Sequence, residues 1–266
     1  MSDDLSGEAH ETLRVTVMRQ EPGQAPREET FDVPFDDRTS VLDALDWIKD
    51  HAEPSLTFRW SCRMGVCGSC GVMVNGRPVL GCETTVAGYR TSGITVGPMA
   101  HAAVQRDLAV DTDEFLAKLR GVSPWMLPPP AEPPTLTEPP TVVEPVETPG
   151  PTAVPALDVL AVHTQTPGQV EAYRGLSQCI DCMLCYAACP VLDDVAGFTG
   201  PAAIATARRW DLDSRDQGNE VRMVALAENE EGIWPCTQVG ACTRACPKGV
   251  DPARAIRDAQ REAMGG

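Results

Sequence analysis

The chemistry open to this chain is set by its 11 cysteines, which fall into three groups. These are Cys62, Cys67, Cys70 and Cys82; then Cys179, Cys182, Cys185 and Cys189; then Cys236, Cys242 and Cys246. The first group is spaced C-x4-C-x2-C with a fourth cysteine further on, the plant-type pattern for a 2Fe-2S cluster. The second reads C-x2-C-x2-C-x3-C-P, a run whose first three cysteines hold one cluster while the fourth ligates its neighbour. The third, CTQVGACTRACP, repeats that run with Val239 where the second cysteine would stand. Ligand arithmetic follows. Cys179, Cys182, Cys185 and Cys246 complete four thiolates, enough for a 4Fe-4S cluster. Cys189, Cys236 and Cys242 supply three. Valine offers no ligand atom and is expected to keep water from the open corner, which favours a 3Fe-4S cluster. The alternative is a 4Fe-4S cluster with one iron held by water or a non-cysteine ligand. Exchange of Cys189 and Cys246 between the runs would set the two clusters side by side, as electron transfer requires.

Other metal chemistry fits less well. Structural zinc sites usually pair two C-x2-C knuckles, which the first group lacks. The histidines, His10, His51, His101 and His163, all lie outside the cysteine motifs, so no Rieske centre can form. An odd number of cysteines disfavours a closed disulfide framework, and a reducing cytosol would keep the thiols available to metal.

A formal charge of −16 and a pI near 4.6 argue against nucleic acid and against electrostatic binding to anionic lipid. The acidic start, MSDDLSGEAHETLR, has no basic and apolar signal regions. No apolar run reaches the roughly 18 residues that span a bilayer. The chain is expected to be soluble or peripheral.

The elements that must position the thiols read as α+β in the first half. TLRVTVMR (12–19) and TFDVPF (30–35) alternate as strands. VLDALDWIKDHA (41–52) is an amphipathic helix with Thr39 or Ser40 as N-cap. After the cysteine loop, where Gly65, Gly68 and Gly71 let the backbone pass close to a cluster, Asn75-Gly76 turns a hairpin that returns Cys82 to the other three. A strand at 94–96 and a helix at 111–119 complete this half. From 124 to 167 the composition changes, with 13 of the 24 prolines of the chain, and this stretch reads as an extended linker. Beyond it the signals are helical, including 200–210, 218–230 and a helix with Asp251 as N-cap and Pro252 at its first turn. The expected domains are therefore 1–123, 124–167 and 168–266.

SCRMGVCGSCG, CIDCMLCYAACP, GPAAI, DLDSRDQG and ACPKGVDPARAI together resemble the iron–sulfur subunit of the succinate dehydrogenase/fumarate reductase family, and more closely its quinol:fumarate reductase branch. The resemblance covers nearly the whole chain outside the proline-rich stretch, which is longer than the usual connection. It implies a β-grasp ferredoxin domain followed by an all-α helical ferredoxin domain. It also implies a place between a FAD-containing catalytic subunit and membrane anchor subunits, on the cytoplasmic face of the inner or plasma membrane. Electrons would pass from FAD through 2Fe-2S, 4Fe-4S and 3Fe-4S clusters to a quinone. Many succinate dehydrogenases carry a tryptophan and a histidine beside the last cluster. The segments after Cys189 and Cys236 here contain neither, which favours menaquinone, or else a site built mostly by the anchor subunits. Pro190, Thr237 and Gln238 are the candidates for lining a quinone pocket, with Arg257 and Gln260 held more loosely.

No dinucleotide-binding glycine motif is present, so the chain is not expected to hold a dicarboxylate site of its own. The competing readings are a freely diffusing multi-cluster ferredoxin and a subunit of a glycolate oxidase or heterodisulfide reductase type, which would carry two complete cysteine runs. Trp60, Trp125, Trp210 and Trp234 read as core or interface anchors. Glu228 to Glu231 reads as a solvated helix end, and the pair Arg208-Arg209 is available to a partner.

Overall fold

The computed structural model describes residues 11–127 and 164–265; most of the expected linker therefore lies outside the described residues. Strand β1 (Thr12–Arg19) turns Leu13, Val15 and Val17 into the core by simple alternation. It pairs antiparallel with β2 (Arg27–Pro34) and parallel with β5 (Ile94–Gly97). β5 runs antiparallel to β3 (Gly71–Val74), and β3 to β4 (Arg77–Leu80), giving the order β2-β1-β5-β3-β4. Helix α1 (Val41–His51) crosses this sheet and buries Val41, Leu42, Ala44, Leu45 and Ile48. Ser40 is its cap: the hydroxyl accepts from the Asp43 N–H while the Asp43 carboxylate accepts from the Ser40 N–H. The β3–β4 turn has Asn75 and Gly76 at φ 48° and 75°, as a type I′ connection requires.

A short hairpin, β6 (Val104–Arg106) with β7 (Ala109–Val110), was not evident from the sequence. Its turn rests on Asp107, a buried carboxylate at φ 49° that accepts from Arg19 Nε, Gln20 N and Thr57 N. Helix α2 (Asp113–Gly121) follows.

The second half contains α3 (Pro167–Arg174), α4 (Leu184–Ala187), α5 (Val191–Asp194), α6 (Pro201–Asp211), α7 (Asn219–Ala227), α8 (Ala241–Ala245) and α9 (Pro252–Ala263). No strand occurs there among the described residues. Asp251 caps α9 by accepting from the Arg254 N–H, ahead of Pro252. Thr166 and Gln169 form a capping box on α3, so ordered helix begins within the stretch read as linker.

The halves share a core. Leu42, Leu80, Met99, Phe115 and Leu119 from the first half pack in one apolar cluster with Leu184, Tyr186, Phe198, Ile204 and Ile256 from the second. A separate core fills the space between the sheet and α1. Lys118 of α2 adds a polar tie: its ammonium donates to Tyr186 Oη at 2.9 Å and to the Ala196 carbonyl.

Arg222 on α7 is fully buried and gathers both halves around the segment DLDSRDQG (211–218). It donates to Asp216 at 2.7 and 2.9 Å, to Asp211 at 3.1 Å, and to the carbonyls of Ser123 and Trp125 at 3.1 and 2.7 Å. Burial would raise the Asp216 carboxyl, but hydrogen bonds from Arg222 and from the N–H groups of Leu127 and Gly218 hold it below its ordinary value. The flank beyond the undescribed segment reaches the same loop, through Gln165 to Asp213 at 3.0 Å. Arg208 and Arg209 also belong to this interior network, pairing with Asp211 and Glu262 and with Asp213. The expectation that they face a partner is corrected accordingly. Removing one member of a buried ion network leaves the others uncompensated, at about 3–5 kcal/mol. Arg222→Met is therefore expected to lower stability by about that amount in denaturant unfolding of the purified chain, whereas an exposed exchange such as Arg174→Met is expected to change it little.

Candidate functional site

The loop between α1 and β3 brings the first four thiols together. Cys70 and Cys82 Sγ lie 3.3 Å apart, and Cys67 donates its backbone N–H to Cys62 Sγ at 3.3 Å. Each of the four sulfurs accepts at least one backbone N–H. Cys62 takes those of Met64, Val66 and Cys67; Cys67 takes that of Cys62, Cys70 that of Cys82, and Cys82 that of Gly65. Gly65 and Gly68 adopt φ 68° and 75°, which allows these N–H groups to converge. Arg63, at φ 56°, does the same without being glycine. It is held by Asp46 at 2.6 Å and by stacking 4.2 Å over the Trp60 ring. No sequence signal marked that residue. An inward ring of amide donors fits a group carrying anionic thiolates and sulfide, since such bonds stabilise its charge.

Three thiols of the second group line an apolar cavity. Cys179, Cys182 and Cys185 share it with Cys246 from the third run, among Ile180, Met183, Ala202, Ala205 and Val250. Cys185 is within electrostatic reach of Cys179, Cys182 and Cys246, and also of Cys242. Cys189 instead stands near Cys236, and Cys242 near both Cys189 and Cys236. The fourth cysteine of each run thus sits with the thiols of the other: Cys246 shares the cavity of Cys179, Cys182 and Cys185, and Cys189 stands near Cys236 and Cys242.

Burial sets the protonation of these groups. It pushes the thiols of Cys179 up to about 12 and of Cys70 and Cys242 up to about 11, and raises Cys185 well above its ordinary value. A thiolate enters such a pocket only with a cation to balance it, so the donor set suits iron. Cys67 shifts the opposite way: it is exposed, and hydrogen bonds from Cys62 and Ser69 lower it to about 6.

The backbone of the third run copies the second. Asp181 and Met183 on either side of Cys182 have φ 51° and 64°, and Gln238 and Gly240 on either side of Val239 have φ 58° and 69°. Val239 therefore occupies the same turn as Cys182. It is 50% exposed, so on this chain alone it does not close the corner to water as expected.

Of the residues proposed to meet a quinone, Pro190, Thr237 and Gln238 are all exposed. Gln238 donates to Gln260 at 3.0 Å, and Gln260 donates to the Ile233 carbonyl at 2.8 Å, so two of the candidates are joined. Arg257 is exposed on α9. Two aromatic residues also reach this region. His101 approaches Asp193 at 3.9 Å from the first half, and the indole of Trp234 donates to the Ala227 carbonyl at 2.8 Å.

Residues 14–117 match a 2Fe-2S iron-sulfur cluster binding domain and residues 175–250 a 4Fe-4S dicluster domain. The fumarate reductase iron-sulfur subunit of Haemophilus influenzae is 43% identical over 253 residues, covering 94% of this chain and 92% of that protein. That of Mycobacterium tuberculosis is 45% identical over 248 residues, covering 92% and 89%. A chain of the Mycobacterium smegmatis Sdh1 complex in the apo form shares the fold, with a TM-score of 0.78 at 24% identity over 97% of both chains.

The thiol environments make a direct test. After removal of iron, brief alkylation at pH 7 followed by mass spectrometry is expected to label Cys67 at least about tenfold faster than Cys70 or Cys179, because the thiolate is the reactive form. Iron-loaded protein is expected to protect all three, and equal labelling of the three after iron removal would contradict this ordering.

Proposed function

The chain belongs to the family of iron–sulfur subunits of fumarate reductase and succinate dehydrogenase, as an electron-transfer subunit of such an oxidoreductase, and from that premise we propose its cluster set and its partners. Cys62, Cys67, Cys70 and Cys82 hold a 2Fe-2S cluster. Cys179, Cys182, Cys185 and Cys246 hold a 4Fe-4S cluster. Cys189, Cys236 and Cys242 hold a 3Fe-4S cluster. When bound, these clusters each accept and release single electrons.

The observation that carries the reading is the turn at Val239, whose backbone matches that at Cys182 while its side chain offers no ligand. The residues of the chain do the rest. Backbone N–H groups at 62–67 stabilise charge at the first site. Apolar side chains around Cys185 exclude water from the second. The shared core fixes one half against the other. The folds supported here are a β-grasp first half and an α-helical ferredoxin second half.

The surface suggests where the partners sit. Trp60, Met64 and Val66 are exposed beside Cys62 and Cys67, an apolar patch of the kind that marks an interface. We assign this end to a FAD-containing catalytic subunit. Val224, Trp234 and Val239 are exposed around the third run, and we assign this end to membrane anchor subunits and a quinone, menaquinone being favoured. Pro190, Thr237 and Gln238 then line the quinone side. No helix among the described residues is long and apolar enough to cross a membrane. Attachment to the cytoplasmic face through the anchors accounts for a membrane role.

Val239→Cys tests the cluster set. A thiol placed in the turn that Cys182 uses is expected to raise the iron content by one per chain and to remove the EPR signal of the oxidised third cluster. Unchanged iron and an unchanged signal would count against the proposed ligand set.

A further inference from the structure

We propose that Gly68 is the spacer that fixes how closely the first cluster loop approaches the second, a positioning residue for electron passage between the halves; this rests on the cluster assignment above. Gly68 lies between the ligands Cys67 and Cys70 at φ +75°. A Cβ at this position would stand 2.7 Å from the Cβ of Cys182, 2.8 Å from its Cα and 3.3 Å from the Ile180 carbonyl oxygen. Non-bonded carbons settle about 3.5–4.0 Å apart, so a single methyl group demands a displacement of about 1 Å. Neither side yields cheaply. The atoms met are main chain and the first side-chain carbon of a cluster ligand, not the tip of a flexible side chain.

The neighbouring glycines of the loop behave differently. A Cβ at Gly65 would meet the side chain of Glu83, within its own half. A Cβ at Gly71 would make ordinary contacts, 3.4 Å from the Cys182 carbonyl oxygen and from Met99 Sδ. Cys67, Gly68 and Cys182 also line one cleft of about 230 Å³ between the halves. The backbone of one ligand loop thus rests directly on a ligand of the next site, and any side chain at 68 would move one site relative to the other. The pseudo-symmetry of the two runs gives the contact a further meaning. The corner at Cys182 receives the first loop, while the matching corner at Val239 faces outward.

The test uses the assembled complex carrying Gly68→Ala, Gly68→Asn or, as a control outside the loop where a Cβ meets nothing, Gly88→Ala. Asparagine tolerates the left-handed backbone, so Gly68→Asn adds bulk with little backbone strain. The readout is microwave-power saturation of the reduced 2Fe-2S EPR signal, recorded with the second cluster oxidised and then reduced. In the wild-type complex, reduction of the second cluster is expected to speed relaxation of the first through dipolar coupling, which falls with the cube of distance. Both Gly68 variants are expected to lose part of that enhancement while keeping the g values of the first cluster, and Gly88→Ala is expected to retain it. Full enhancement in both Gly68 variants at native iron content would overturn the spacer role. A wild-type complex lacking enhancement, with iron and sulfide too low for a 4Fe-4S cluster, would instead overturn the assignment beneath it.

Discussion

Burying a thiolate in an apolar pocket is unfavourable unless a cation shares the pocket, and the helical half buries its seven cysteines in whole or in part. That constraint organises the rest. The helices α4, α5 and α8 have four or five residues each, too short to persist without tertiary support. They are held between cysteines that need metal and a core that needs both halves. In the proposed ligand set, the exchange of Cys189 and Cys246 between runs makes the two sites one unit, so neither run closes by itself.

The architecture places the three thiol groups in a row with a contact of different character at each step. Between the first and second groups the approach is steric, backbone against ligand at Gly68 and Cys182. Between the second and third the runs interleave, Cys246 sharing a cavity with Cys179, Cys182 and Cys185 while Cys189 stands near Cys236 and Cys242. At the far ends the row is bounded by exposed apolar side chains, Trp60, Met64 and Val66 at one and Trp234 and Val239 at the other. A carrier that passes electrons between two different partners needs this polarity. The buried Arg222 network secures it from behind, tying the chain on both flanks of the undescribed segment to one loop.

Much of this was legible in the sequence, where the signal was local. The alternation of Leu13, Val15 and Val17, the cap at Ser40, the Asn75-Gly76 turn and the Asp251-Pro252 helix start act over a few residues, and each appears where expected. Cysteine spacing was legible for the same reason, since the ligands of one loop are near in the chain. What depended on distant partners was not. The β6–β7 hairpin is anchored by Asp107 to Arg19 and Thr57, and Arg208 and Arg209 turn inward because Asp211, Asp213 and Glu262 converge on them. A capping box at Thr166 and Gln169 starts α3 where the composition is still rich in proline. The closeness of Gly68 to Cys182, and the exposure of Val239, belong to the packing of one half on the other, which no local pattern encodes.

The most direct test of the account is low-temperature EPR of the anaerobically isolated complex, recorded oxidised and again after succinate. A 3Fe-4S cluster holds three ferric ions when oxidised and is paramagnetic, whereas oxidised 2Fe-2S and 4Fe-4S clusters are silent. The expected result is a signal in the oxidised sample that fades when succinate is added, linking the three-thiolate site to a dicarboxylate-oxidising partner. A complex replete in iron that remains silent when oxidised would contradict the reading of Val239 on which the third site depends.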